Sequence, residues 1–413
     1  MAHIVDRWYR TIVGPDGKSR QEPKPECGQG MRYRVRYIAP DGKEKSQSFP
    51  DKKKREAQAF LANVQADILK GTYVDPDAGR TTFKQYADDW LAAATTDVLT
   101  RDRIEYELRL HAYPTFGDRP IASIQPATIR EWARKLQEKG LAVSYRRVLF
   151  TDVSMIFNAA VDDRKILNNP FAVKSIRRPK PAPTKVVPWP VARLVAFREN
   201  VRPRYRIAVD LGAGCGLRQG EVFAVSPEDL DPARPVLQVT RQIKLVRGQL
   251  IFAPPKGGKS REVPLPRSVA TRLERHAEDC PPVAVTLPWG TLTGEPRTVE
   301  LYLTTPSGTA LTRSIFNSGV WKPAIRATGI PDDRHNGMHV LRHTYASVLL
   351  DAGESIKALS AYLGHADPGF TLRTYTHLLP TSEDRTRRAI DKALGDVQAV
   401  EDSPQAGDGL ETA

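Results

Sequence analysis

Residues 339–377 read HVLRHTYASVLLDAGESIKALSAYLGHADPGFTLRTYTH, and the spacing of their histidines, arginine and tyrosine decides how the last domain is read. Helical patterns run from Ser314 onward, so His339 and His343, four residues apart, share a helix face. Five of the eight histidines (His335, His339, His343, His365 and His377) fall in the last quarter of the chain. Two histidines at this spacing can hold zinc. The zincin pattern, however, needs a Glu directly after the first His, where Val340 stands, and Arg342 adds a repelling cation in the same turn. Tyr375 follows His365 in a short segment with little apolar pattern, which suits a nucleophile on a movable element.

Two upstream stretches carry matching chemistry. The first is Cys215-Gly-Leu-Arg218-Gln-Gly-Glu221. The second is Pro255-Lys256-Gly-Gly-Lys259-Ser-Arg261, a basic turn between strand-like stretches. Asp210-Leu-Gly212-Ala-Gly214-Cys-Gly216 also matches a glycine loop of the kind that approaches an adenosyl cofactor. The chain downstream does not alternate strand and helix as that fold requires. Phosphoryl transfer to a protein nucleophile uses the residues better. Such chemistry rests on positioning and on stabilising negative charge at the nonbridging oxygens. Arg218 and Arg342 can each fork onto two oxygens and stay charged. Tyr375 can attack phosphorus, and Lys256 can protonate the leaving 5′ oxygen, with Lys259 as the alternative acid.

Working outward, the chain divides into segments. In residues 1–75, Arg32-Tyr33-Arg34-Val35-Arg36-Tyr37 alternates faces as a strand, Asp41-Gly42 signals a hairpin, and Asp51 is placed to cap a helix ending at Gly71. This predicts a small β-sheet-plus-helix module whose arginine face meets nucleic acid. Residues 82–176 read as a helical bundle carrying Phe83, Tyr86, Trp90, Leu91, Ile129, Trp132 and Phe157. Residues 177–185 are a basic, Pro-rich linker able to run along DNA. Residues 186–395 form a mixed, mostly helical α/β domain with an extended stretch at 282–305. Residues 396–413 form a flexible acidic tail.

Composition narrows the class of partner. The chain has 413 residues, 62 Lys+Arg against 48 Asp+Glu and a net charge of +14, which favours a polyanion. Three scattered cysteines (Cys27, Cys215 and Cys280) imply neither a disulfide framework nor a zinc knuckle. No apolar run is long enough to span a membrane and the start lacks a signal-peptide pattern, so a cytoplasmic protein is expected.

In order, Gly216-Leu-Arg218-Gln-Gly-Glu221, Lys256 in a hairpin, His339-Val-Leu-Arg342-His343, Leu363-Gly364-His365 and Tyr375 resemble the tyrosine recombinase (phage integrase) family. Phe116-Gly-Asp-Arg-Pro and Asn169-Pro170 extend the likeness into the helical segment. The resemblance implies a multidomain, mainly α fold with β: an arm-type DNA-binding domain at 1–75, a helical core-binding domain at 82–176 and a catalytic domain at 186–395. It implies the integrase of a phage or integrative element, acting through a 3′-phosphotyrosyl link. Tyr375 would be the nucleophile, with Arg218 and Arg342 on the phosphate and Lys256 as the acid. His339 would take the tyrosine proton, and His365 would hydrogen-bond the phosphate. No cofactor and no metal is implied. The implied partners are double-stranded DNA at core and arm attachment sites, further copies forming a homo-tetramer on two duplexes, and DNA-bending and directionality accessory proteins. Relaxation of DNA in the manner of a type IB topoisomerase, and non-catalytic regulation, are the alternatives. The arm-like first domain and the intact set of site residues weigh against them.

Overall fold

The computed structural model describes residues 2–13, 17–75, 77–182 and 185–378, together with 387, 390, 391 and 394. The acidic tail expected at 396–413 lies outside the described residues. The chain separates into two compact units, Met1–Ala182 and Pro183–Ala413. Among the described residues, no helix is long and apolar enough to cross a membrane.

The first unit opens with β1 (His3–Asp6), β2 (Tyr9–Val13), β3 (Ser19–Pro23), β4 (Tyr33–Ile38), β5 (Glu44–Phe49) and α1 (Lys54–Lys70). Strands β1, β4 and β5 form an antiparallel sheet in that order, and β2 and β3 pair as a separate hairpin. Alternation along β4 buries Tyr33, Val35 and Tyr37, which share a core with Ala57 and Val64 of α1 and with Tyr73. Gly71, at φ 70°, ends α1 in the left-handed conformation.

Asp51 does not cap α1, contrary to the sequence expectation. Its carboxylate takes Arg32 at 3.0 Å while Asp6 takes the other side of the same guanidinium at 2.9 Å. The half-buried Arg32 needs that compensation more than the helix end needs a cap. The arginine face is therefore partly committed within the sheet, since Arg36 also pairs with Glu44 at 2.6 Å and Arg34 donates to Ser46.

The rest of this unit is helical: α2 (Phe83–Ala93), α3 (Val98–Glu107), α4 (Tyr113–Phe116), α5 (Pro126–Glu138) and α6 (Val143–Asp162). Thr82 caps α2 by accepting from the Gln85 amide at 3.2 Å. A wide π turn at Leu108–Ala112 leads into α4, whose Pro114 cannot donate a backbone hydrogen bond. Phe83, Phe116, Trp132 and Phe157 are fully buried at the centre. Each such side chain is worth about 1.5–3 kcal/mol of burial.

The second unit contains α7 (Val191–Asn200), α8 (Arg206–Gly214), α9 (Gln219–Val222), β6 (Val236–Val239), β7 (Gln242–Val246), β8 (Gln249–Ala253) and β9 (Arg261–Pro264). It continues with α10 (Arg267–Asp279), β10 (Val283–Pro288), β11 (Pro296–Leu301), α11 (Arg313–Phe316), α12 (Lys322–Ala327), α13 (His339–Asp351), α14 (Ile356–Leu363) and α15 (Pro368–Tyr375). β6 pairs with β9 and β7 with β8, all antiparallel, so 236–264 is one long interrupted hairpin. Residues 254–260 loop out of one arm opposite residues 240–241 of the other, and this loop carries Lys256.

The extended stretch anticipated at 282–305 is the β10–β11 hairpin. Val285, Val299 and Leu301 enter the main core, while Thr286 and Thr298 hydrogen-bond at 2.8 Å on the open face. The glycine-rich Asp210–Gly214 segment lies in α8 rather than in a strand-to-helix loop. The Asp210 carboxylate is taken by Arg198 at 2.7 Å and Arg272 at 2.6 Å. Cys215 is a fully buried free thiol in the core.

Candidate active site

Arg218 stands at the N-terminus of α9, where its amide donates to Glu221 Oε2 at 2.9 Å and its guanidinium to Glu221 Oε1 at 3.0 Å. The Glu221 side chain has no exposed surface. It also receives both terminal nitrogens of Arg261, at 3.0 and 2.7 Å, and Arg261 Nε donates to the Tyr362 carbonyl at 2.7 Å. One carboxylate thus ties α9, the start of β9 and the end of α14. Burial works to raise the Glu221 carboxyl, but the hydrogen bonds and charge of Arg261, with the amide and charge of Arg218, hold it below the usual range.

Arg342, on the first turn of α13, is 1% exposed and has no carboxylate partner among the described residues. It donates to the Gly216 carbonyl at 2.8 Å, to the Leu363 carbonyl, and to His365 Nε2 at 3.0 Å. Only glycine fits at 216: its φ is +63°, and a Cβ there would lie 2.5 Å from the Tyr345 ring. Arg218 reaches the neighbouring Gly364 carbonyl at 3.4 Å. Both guanidinium groups therefore meet the carbonyl end of α14, where the helix dipole favours cations. Gly364 is itself left-handed at φ +62°, and a Cβ there would crowd the Arg261 guanidinium at 3.0 Å. Burial and the Arg218 charge push Arg342 down to about 9, against the pull of Glu221. A buried cation oriented by neutral carbonyls is a ready anion site.

Three imidazoles surround it. Because Arg342 can only donate, His365 Nε2 accepts, so the proton sits on Nδ1 and is given to Thr371 Oγ1 at 2.7 Å. Burial, then Arg342, Arg218 and Arg261, push His365 down to about 4. His339 sits at the exposed rim. The protein crowding it, then Arg342, Arg218, Arg313 and Lys256, push it down to about 4. His343 packs edge-on to His339, with ring centroids 4.6 Å apart, and its Nδ1 lies 2.9 Å from Tyr375 Oη.

Tyr375 is 1% exposed and forms the last residue of α15. It is thus a buried helical side chain rather than one on a loose segment. Burial raises its hydroxyl above the ordinary phenol value, against the pull of Arg342 and Arg218.

Lys256 is exposed in the 254–260 loop. The loop is anchored by Gln242 Nε2, which donates to the Pro254 carbonyl at 2.6 Å, and by the Gly258 amide, which donates to the Pro255 carbonyl at 2.9 Å. Its charge is among those acting on His339.

Of the six residues singled out in the sequence, Arg342 and His365 are joined by a direct bond, and Arg218 joins them through the carbonyl next to the one Arg342 uses. Tyr375 adjoins them through the charges of both arginines, and His339 and Lys256 border the same field. Sequence reasoning passed over the contact of His343 with Tyr375, the Arg261 tie and the Arg313 charge. The one available signal was that His343 is the residue after Arg342 and shares a helix face with His339. His377 bonds the Val186 carbonyl at 2.8 Å through Nε2.

Comparison with known proteins adds family evidence. Residues 190–381 match the phage integrase family model, and residues 83–175 match the phage integrase central domain. The integrase of Mycobacterium phage D29 is 26% identical over 376 residues, covering 88% of this chain and 94% of that protein. The Tn1549 transposon integrase, solved in complex with a circular intermediate DNA, superposes with a TM-score of 0.61 at 21% identity, covering 74% of this chain and 98% of that one. A lambda integrase tetramer bound to a Holliday junction gives a TM-score of 0.51 at 16% identity, covering 81% and 93%. The chain belongs to the tyrosine recombinase (phage integrase) family and is a site-specific recombinase.

Proposed function

We propose that this recombinase cleaves and rejoins double-stranded DNA through Tyr375, integrating or excising a mobile element. Tyr375 Oη attacks the scissile phosphorus to give a 3′-phosphotyrosyl link and a free 5′ hydroxyl. Arg218 and Arg342 grip the nonbridging oxygens and His339 adds a hydrogen bond beside them; once the phosphate takes over Arg342, His365 carries its proton on Nε2 in place of Nδ1 and donates to a nonbridging oxygen, and Lys256 protonates the leaving 5′ oxygen. The 5′ hydroxyl of a partner duplex reverses the step, so bond energy is kept without a cofactor or metal. The observation that carries this reading is Arg342: a buried guanidinium with no carboxylate partner among the described residues, set beside Arg218 and a buried tyrosine.

The domain roles belong to the same reading. Residues 1–75 bind arm-type sites, residues 82–176 bind the core site, and the basic 177–185 linker follows the duplex. Assembly as a homo-tetramer on two duplexes is supported by the likeness to the lambda integrase tetramer on a Holliday junction. The same reading places it in the cytoplasm, with bending and directionality proteins assisting. The experiment is covalent capture on nicked duplexes tiled across the DNA that flanks the gene, with and without chelator. Tyr375→Phe is expected to bind those duplexes and form no covalent adduct, and chelator is expected to change nothing. Capture by Tyr375→Phe at the parental rate would overturn the nucleophile assignment.

A further inference from the structure

We infer that His343, rather than His339, takes the phenolic proton of Tyr375. This rests on the reading of Tyr375 as the nucleophile and assigns the base that activates it. Among the described residues, His343 Nδ1 is the only hydrogen-bond partner of Tyr375 Oη, at 2.9 Å. The hydroxyl is buried at the end of α15, which leaves solvent little access to its proton. His339 instead stands at the rim in the field of Arg342, Arg218, Arg313 and Lys256, meets the His343 ring edge-on, and has no hydrogen bond to Tyr375 among the described residues. The two histidines divide the work: His339 faces the phosphate side and His343 the nucleophile.

The step balances within these groups. Tyr375 Oη bonds to phosphorus as the bond from phosphorus to the 5′ oxygen breaks. The phenolic proton passes to His343 Nδ1, and the 5′ oxygen takes a proton from Lys256. Rejoining by a 5′ hydroxyl runs both transfers backwards.

The groups facing His343 are His339 and Arg342 from α13, His365 from the loop after α14, and Tyr375 from α15. Burial and the first three push His343 down to about 3 in the free protein, so it is neutral and its lone pair is open at neutral pH. A phosphodiester seated on Arg218 and Arg342 brings negative charge into that cluster of cations. The imidazolium is therefore favoured only when substrate is present.

The test uses the full chain and the same nicked flanking duplexes, comparing His343→Asn, His343→Ala, His339→Asn and Tyr375→Phe. Asn keeps an acceptor near the Nδ1 position but cannot hold a proton. His343→Asn is expected to bind DNA like the parent and to capture it about 10²–10⁴-fold more slowly. Its rate should climb about tenfold per pH unit, because only already ionised phenol attacks, while the parent profile is flatter. Parental rate and pH profile in His343→Asn would overturn the inference. So would a pH slope that appears in His339→Asn alone, or a loss of DNA binding in both His343 variants that matches their loss of capture, which would assign His343 to packing. Adducts formed by Tyr375→Phe would instead sink the nucleophile itself.

Discussion

Replacing Glu221 by Gln leaves its volume in place and removes the one negative charge that Arg218 and Arg261 share. The Glu221 side chain is 0% exposed and that of Arg261 only 8%, so the charge left behind cannot be rehydrated without opening the fold. Removing one partner of a buried pair costs about 3–5 kcal/mol. The amide oxygen of Gln can still accept two of the four hydrogen bonds that the carboxylate receives, which places the expected loss near the lower figure, about 3 kcal/mol. Replacing both partners, as Glu221→Gln with Arg261→Met, removes the stranded cation. What remains is the loss of the bond to the Tyr362 carbonyl, about 1–3 kcal/mol. The double variant should therefore be less destabilised than the sum of the singles, with a coupling of about 2 kcal/mol. The assay is hydrogen exchange across a urea series, read on peptides from α9 and α13, so that the second unit is followed by itself. A loss below about 1 kcal/mol in Glu221→Gln, or a double variant equal to the sum, would refute the view that this carboxylate holds the site together.

Two other outcomes follow from the same geometry. Lys256→Ala should slow capture about 10²–10⁴-fold on ordinary DNA and return close to the parental rate when sulfur replaces the leaving 5′ oxygen, because a thiolate departs without a proton. If sulfur rescues Lys259→Ala instead, Lys259 is the acid. Stability should also fall as pH drops from about 6.5 toward 4. His343 and His365 have folded-state values of about 3 and about 4 against 6.5 when free, so in that window the unfolded chain binds more protons and stability rises with pH. Urea midpoints of the second unit measured at pH 7.5 and pH 5 check this; identical midpoints would contradict the buried neutral imidazoles.

The parts of the molecule legible in the sequence were those set by short periodicities. Alternation in 32–37 gave the buried face of β4, and the apolar spacing in 83–91 gave the buried face of α2. The α15 segment was harder. Its apolar content is low because Thr371 and Tyr375, four apart, are its buried residues while Phe370 and Leu372 are exposed. A scan for apolar stripes therefore takes it for a loose segment. The partners of charged groups were not legible at all. Nothing local says that Asp51 turns to Arg32 rather than to its own helix, or that Glu221 meets Arg261 forty residues on. Helical spacing placed His339 and His343 on one face, but which ring meets Tyr375 depends on where α15 returns, a property of the whole domain.

The choice of partner for Arg342 bears on how such a site must be built. A carboxylate beside it would satisfy the buried charge in the free protein, as Glu221 does for Arg261. It would also compete with an incoming phosphate and repel it. The carbonyls of Gly216 and Leu363 and the acceptor nitrogen of His365 orient the guanidinium without an ion pair. That arrangement costs the free protein stability, which the depressed pKa of Arg342 reflects, and a bound phosphodiester returns it. Glu221 can be fully charged because its hydrogen bonds go to Arg218 and Arg261 and none goes to Arg342 among the described residues. The two arginines thus divide a conflict that one residue could not resolve: Arg218 is held firmly by its ion pair with Glu221, and Arg342 remains attractive to anions because, among the described residues, it has no ion pair of its own.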